Sequence, residues 1–183
     1  QDFNYSELRH ATNRFANLLR RLGVQPGKAV FTLLGRQPAL YVTALGTSDE
    51  PAGWRPTKAS GGVIMDVPSG EFISRGLSMP HSPRLYRDHL WLLNAGTGFF
   101  GRVDRRTGKF EPLTFCPGFL RGLSFVGDFA VVATSQLREN KTFAGLALDE
   151  NLNSRKAEAR CQVAVIGLRS FDLVHSLRIS GVV

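Results

Sequence analysis

The feature that most constrains this chain is an eight-residue pattern that occurs twice. Met65-Asp66-Val67-Pro68-Ser69-Gly70-Glu71-Phe72 and Val103-Asp104-Arg105-Arg106-Thr107-Gly108-Lys109-Phe110 lie 38 residues apart. Both read apolar, Asp, two variable positions, Ser or Thr, Gly, one variable position, Phe. The chemistry is that of a strand reversal. The Asp carboxylate accepts a backbone N–H two residues on, and Gly supplies the positive φ that turns the chain back. A worn third copy, Ile166-Gly167-Leu168-Arg169-Ser170-Phe171-Asp172-Leu173, has lost the turn Gly.

A second set keeps nearly the same interval. Leu85-Tyr86-Arg87-Asp88-His89-Leu90-Trp91-Leu92-Leu93 matches Phe125-Val126-Gly127-Asp128-Phe129-Ala130-Val131-Val132, each a strand, a tight polar turn and an apolar strand; Gly76-Leu77-Ser78 returns as Gly122-Leu123-Ser124. A period of about 40 to 50 residues holding three or four short strands is that of a propeller blade. The alternative is an antiparallel meander whose turns resemble one another. The expected fold class is mainly β: a partial β-propeller of about three blade-like sheets, preceded by a short α/β segment of helix, strand and helix.

The 183 residues are 43% hydrophobic, enough for a core, and the net charge of +8 is spread along the chain. Without long basic runs interleaved with aromatics, no specific nucleic-acid partner is expected. No apolar run approaches membrane-spanning length and Gln1 opens no signal peptide, so the expectation is a cytoplasmic protein with no membrane association. Both ends look cut. Cys116 and Cys161 sit in strand-like contexts without metal-ligand spacing, as free buried thiols or as a disulfide. Asn4-Tyr5-Ser6 and Asn140-Lys141-Thr142 fit the glycosylation pattern, which matters only in a secreted protein.

The first part of the chain has a different rhythm. Ser6 is a candidate N-cap for a helix carrying Leu8, Ala11, Phe15, Leu18, Leu19 and Leu22, ended by Gly23. After the Pro26-Gly27 turn, Ala29 to Leu34 reads as a buried strand. Pro38 opens a second helix with Leu40, Tyr41, Ala44 and Leu45, closed by Gly46. Tyr5-Ser6-Glu7-Leu8, Asn13-Arg14-Phe15-Ala16-Asn17-Leu18-Leu19, Leu22-Gly23-Val24 and Val30-Phe31-Thr32-Leu33-Leu34-Gly35-Arg36 through Leu45-Gly46-Thr47 resemble the start of an adenylate-forming acyl-CoA synthetase, nearest to acetyl-CoA synthetases. In that family this portion is scaffold. The phosphate loop, the ribose-binding Asp and the catalytic Lys have no counterpart in residues 3–48, so the resemblance carries over no catalytic residue and implies no cofactor.

Residues 49–62, rich in Pro, Gly and Ser, read as a linker. Beyond it Gly76-Leu77-Ser78-Met79-Pro80-His81-Ser82-Pro83-Arg84, Leu90-Trp91-Leu92-Leu93-Asn94 with Gly96-Thr97-Gly98, Gly101-Arg102-Val103-Asp104, Pro117-Gly118-Phe119-Leu120-Arg121-Gly122-Leu123 and Arg138-Glu139-Asn140 with Thr142-Phe143 resemble a bacterial family of conserved hypothetical proteins with a propeller domain of unknown function. That family runs on past Val183. The resemblance implies a domain at residues 63–183 holding half of a propeller, joined to a foreign leading piece by natural fusion, gene rearrangement, or a mis-joined or truncated reading frame. An open array of sheets exposes edges and apolar faces, so self-association through open propeller edges is expected.

Gly96-Thr97-Gly98-Phe99-Phe100-Gly101 has the letters of a dinucleotide-binding loop, but no helix follows and a β-turn is expected. Met79-Pro80-His81-Ser82-Pro83-Arg84 is more informative, because two prolines stiffen the segment. Arg84 and Arg121 begin comparable segments, and both are expected to face a central funnel with His81, there to bind a small acid through its carboxylate or phosphate. Alternatively His81 and Arg84 cap strands and pair with nearby carbonyls or Asp88. Arg138 and Asn140 open a polar insertion up to Ala159, expected as a solvated loop over one face and as a further ligand contact. Asp66 and Asp104 read as turn formers, and Trp54 and Trp91 as packing residues. No metal site is expected from His81, His89 and His175. The favoured function is a binding or interaction module for an unknown small acid or protein partner. The alternative is an enzyme, either a remnant synthetase or a lactonase-like hydrolase using the funnel.

Overall fold

The computed structural model describes residues 41–136 and 144–179, all within the second of two compact units, Leu33–Val183. The helix expected from Ser6, the strand at Ala29 to Leu34, Arg138, Asn140 and both glycosylation-like Asn residues lie outside the described residues. Among the described residues no helix is long and apolar enough to cross a membrane.

The fold is mainly β. Sheet 1 holds β1 (Tyr41–Ala44), β2 (Gly62–Asp66) and β3 (Phe72–Leu77); sheet 2 holds β4 (Pro80–Tyr86), β5 (His89–Asn94), β6 (Phe99–Val103) and β7 (Phe110–Phe115). Sheet 3 holds β8 (Phe119–Val126), β9 (Phe129–Ser135), β10 (Gln162–Gly167) and β11 (Leu173–Arg178). Every pairing is antiparallel and strand order follows chain order within each sheet. Short links, Ser78–Met79 and Cys116–Gly118, carry the chain from the last strand of one sheet to the first of the next. This is the blade-like arrangement the repeat predicts.

The three Asp-turn-Phe units close β2–β3, β6–β7 and β10–β11, one in each sheet and none side by side. Their backbones agree bond for bond. Asp66 N donates to Glu71 O (2.9 Å) and Gly70 N to Asp66 O (2.8 Å); Asp104 N donates to Lys109 O (3.0 Å) and Gly108 N to Asp104 O (2.8 Å). In the worn copy Gly167 N donates to Asp172 O (3.0 Å) and Phe171 N to Gly167 O (2.8 Å). The sixth residue of the pattern has positive φ each time: Gly70 at 71°, Gly108 at 73° and Phe171 at 61°.

Packing between sheets decides which strands are wholly apolar. In β5, HLWLLN, every residue after His89 is buried, because sheet 2 is covered on both faces. Leu90 and Leu92 face Tyr41, Ile64 and Leu77 of sheet 1, whereas Trp91 and Leu93 join Phe100 against Ala130, Val132, Ala164 and Ile166 of sheet 3. In β9, FAVVATS, burial alternates, because among the described residues sheet 3 has a covered face on one side only. Trp91 stacks on Phe100 with ring centroids 5.1 Å apart and donates Nε1–H to Tyr86 O at 2.9 Å, the packing role expected of it. A hydroxyl on the last strand of one sheet reaches the turn of the next at each junction. Ser74 Oγ donates to Gly108 O and Thr114 Oγ1 to Phe171 O, both at 2.7 Å.

Two expectations about elements are corrected. Where the second helix was expected, Tyr41–Ala44 form β1, paired with β2 from Tyr41 opposite Asp66 to Ala44 opposite Val63. A run this short satisfies both periods; Val42 and Thr43 are β-branched, and Tyr41 buries its ring against sheet 2. The solvated loop expected up to Ala159 contains α1 (Ala147–Ser154), with Leu148 and Leu152 buried. Asp149 and Glu150 in its first turn suit the positive end of the helix. Leu148 N donates to Gly96 O at 2.9 Å, seating α1 on the β5–β6 turn. The segment read as a linker is a string of tight turns between β1 and β2, among them Gly53 N to Glu50 O at 2.9 Å, with Trp54 against the core.

Candidate ligand site at the head of the first strands

β4 and β8, the first strands of sheets 2 and 3, lie against each other, with Ser82 Oγ donating to Arg121 O at 3.0 Å. Both are bulged near their starts. The β4–β5 register shifts between His81 and Arg84, and the β8–β9 register between Leu120 and Gly122, around Arg121. The local sequence accounts for the first bulge. Pro80 and Pro83 fix φ and cannot donate to a ladder, and the residue before each proline takes up positive φ, Met79 at 47° and Ser82 at 51°. A bulge re-aims side chains, and here His81 is turned toward the neighbouring sheet.

His81 sits edge-on to Phe119, ring centroids 6.5 Å apart at 72°, and the Arg121 guanidinium lies 4.7 Å from the centroid of the same ring. Phe119, 1% exposed, is thus the floor of the site. The His81 Nε2 is buried and has no hydrogen-bond partner among the described residues. Burial, and then the charge of Arg121, lower the imidazole from 6.5 to about 4, so the ring is neutral at physiological pH.

The structure therefore brings His81, Ser82 and Arg121 together and leaves Arg84 apart. Arg84 sits beyond the bulge, exposed, and its Nη1 donates to Pro83 O at 2.9 Å, the carbonyl pairing given above as the alternative to a ligand role. The expected equivalence of Arg84 and Arg121 is also corrected by register. Arg84 lies opposite Trp91 and Ser124 opposite Val131, while His81 lies opposite Leu93 and Gly122 opposite Ala133. Trp91 matches Val131 in the 40-residue repeat, so the partner of Arg84 is Ser124, and the bulge residue Arg121 falls beside His81. Counting from the Asp of the following turn reveals this match. Ser82 and Phe119 were missed because their role depends on the contact between two sheets.

The remaining groups are accounted for locally. Asp66 Oδ2 accepts from Ser69 N at 3.1 Å and Asp104 Oδ1 from Arg106 N at 2.8 Å, so both are turn formers. Backbone bonds from Thr107 and Arg106 hold the Asp104 carboxyl below its ordinary value. Gly96-Thr97-Gly98 is a turn between β5 and β6, with Thr97 N donating to Asn94 O at 3.0 Å. At the opposite ends of the sheets Asp128 binds Arg87, and Arg169 Nη2 at 3.1 Å. The Arg87 hydrogen bond holds the Asp128 carboxyl below the usual carboxylate range. Cys116 and Cys161 are free and buried, and burial pushes the Cys116 thiol up to about 12. Among the described residues no three His, Cys, Asp or Glu side chains converge as a metal site would require.

A neutral imidazole and a guanidinium over an aromatic floor can hold an anion but offer no activated nucleophile. Fold and site together define a mainly β chain of successive blade-like sheets. It belongs to the family described as Domain of unknown function (DUF4915), whose model matches residues 32–183. A model described as AMP-binding enzyme matches residues 1–49, so the two matches share residues 32–49, which include β1. No curated protein matches the chain.

Proposed function

We propose that this chain is a binding module whose site, at the head of the first strands of sheets 2 and 3, takes the carboxylate of a small acid. The observation that carries this reading is the buried, unpartnered Nε2 of His81 beside Arg121. Leaving a buried polar atom unsatisfied costs about 1–3 kcal/mol, and a ligand oxygen that accepts from it removes that cost. Arg121 supplies the charge, and Phe119 supports both side chains. The sheets, stacked about a common axis in the manner of a partial propeller, bring successive first strands to one ligand.

The neutral state of His81 fits binding rather than catalysis. With a pKa near 4 it is a poor proton acceptor at neutral pH, so no observation favours the hydrolase alternative. The test is ¹⁵N-histidine NMR of the whole protein titrated with acetate, succinate and inorganic phosphate. Saturable movement of the His81 Nε2 resonance, weakened about tenfold or more in Arg121→Gln, is the expected result. An Nε2 resonance that none of the three probes moves would rule the reading out, and phosphate acting without the carboxylates would reassign the ligand class.

A further inference from the structure

We propose that the ligand of the His81 site is a short hydroxy acid, held with its carboxylate on Arg121 at the surface and its hydroxyl on the buried His81 Nε2, an inference that rests on the carboxylate reading of that site. The two partners stand at different depths. Arg121 is exposed, whereas the Nε2 atom is buried. They also flank a single ring, His81 edge-on to Phe119 with centroids 6.5 Å apart and the guanidinium 4.7 Å from the same centroid, so one small molecule spans them.

Charge decides which end of the ligand goes inward. Arg121 offers a carboxylate charge-assisted hydrogen bonds without taking it out of water. His81 does not. Desolvation by burial, and then the charge of Arg121, lower its imidazole from 6.5 to about 4, so a carboxylate pressed against Nε2 would give up its hydration for a neutral partner. The inner end of the ligand is therefore uncharged. A methyl group fails there for the opposite reason, because it leaves Nε2 buried without a hydrogen bond.

Hydrogen-bonding capacity separates a hydroxyl from other neutral groups. A neutral imidazole carries its proton on one nitrogen or the other, so Nε2 donates in one tautomer and accepts in the other. A hydroxyl matches both, whereas a keto oxygen, which only accepts, matches one. Ser82 adds to the preference. Its Oγ donates to Arg121 O at 3.0 Å, so toward a ligand it is an acceptor, and a hydroxyl can donate to it while accepting from Nε2–H. Both His81 and Ser82 reach β8, one at Phe119 and the other at Arg121, because the bulge breaks the alternation that sends consecutive side chains to opposite faces.

Glycolate and propionate differ by a hydroxyl in place of a methyl group of similar size. Titrating each into the whole protein, followed by the His81 ¹⁵N resonances and by calorimetry, isolates the inner contact. Glycolate is expected to half-saturate the site at about one tenth of the propionate concentration or less. In His81→Leu, checked for folding by circular dichroism, that preference is expected to vanish while both acids still bind through Arg121. Equal midpoints in the unaltered protein, or a preference that survives His81→Leu, would overturn the proposal and leave the carboxylate site standing. So would pyruvate binding as tightly as lactate, which would assign the inner end to a keto group. An Nε2 resonance that glycolate, propionate and acetate all leave in place would remove the site itself, and the hydroxyl contact with it.

Discussion

Gly70 and Gly108 occupy the same place in successive turns, with φ of 71° and 73°, yet their surroundings differ. A Cβ on Gly70 would meet nothing within 4 Å, whereas one on Gly108 would lie 2.5 Å from Ile73 O. Gly70→Ala is expected to cost about 1 kcal/mol, the left-handed penalty alone, and Gly108→Ala about 2–4 kcal/mol, because sheet 1 must also give way. Urea unfolding of the two variants measures the difference, and equal losses would contradict the inter-sheet contact. Phe171 accepts the same backbone geometry without being Gly. Its ring, 6.4 Å from Trp91 and under the Arg102 guanidinium at 5.4 Å, ties sheet 3 to sheet 2. Cys116, with its thiol raised to about 12 by burial, is expected to resist iodoacetamide in the native protein at pH 8 and to react once unfolded.

At the scale of elements, α1 shows how an insertion becomes part of the core. Its polar face disguises it in sequence, but Leu148 is 0% exposed and its N–H closes a bond to the β5–β6 turn. Leu148→Ala is expected to destabilise the protein by about 2–4 kcal/mol and to speed proteolysis between Gly145 and Ala159. Glu150→Ala, on the same helix, is expected to stay within about 0.5 kcal/mol. Thermal unfolding with limited proteolysis reads both; equal sensitivity would mean that α1 is not docked. The misread β1 has a related cause. Four residues hold too few periods to separate strand from helix, and the pairing with β2 decided it.

Across the whole molecule, His81 gives stability a distinct pH dependence. Its pKa is about 4 when folded and 6.5 as a free side chain, so between these values the unfolded chain binds more protons. Stability is expected to be full above about pH 6.5 and to fall as pH drops toward 4, by ~3 kcal/mol at most. His81→Asn is expected to flatten that slope in urea titrations at successive pH values. An unchanged slope would place His81 in solvent. The lowered carboxyls of Asp104 and Asp128 act in the same direction, but only as pH falls through the carboxylate range.

The repeated Asp-turn-Phe unit was sufficient for the sheets: an Asp that closes its own turn and a Gly at positive φ are local requirements, satisfied wherever the residues occur. Turn formers, packing tryptophans and buried free cysteines were legible for the same reason. The arrangement around His81 was not, because its bulge, its Phe119 floor and its place beside Arg121 arise where two sheets meet, and contacts between strands 40 residues apart leave no periodic trace in sequence. Nor did composition reveal that α1 docks or that, among the described residues, only one face of sheet 3 is covered. Local chemistry determined where this chain turns; which side chains the turns bring together was decided by packing.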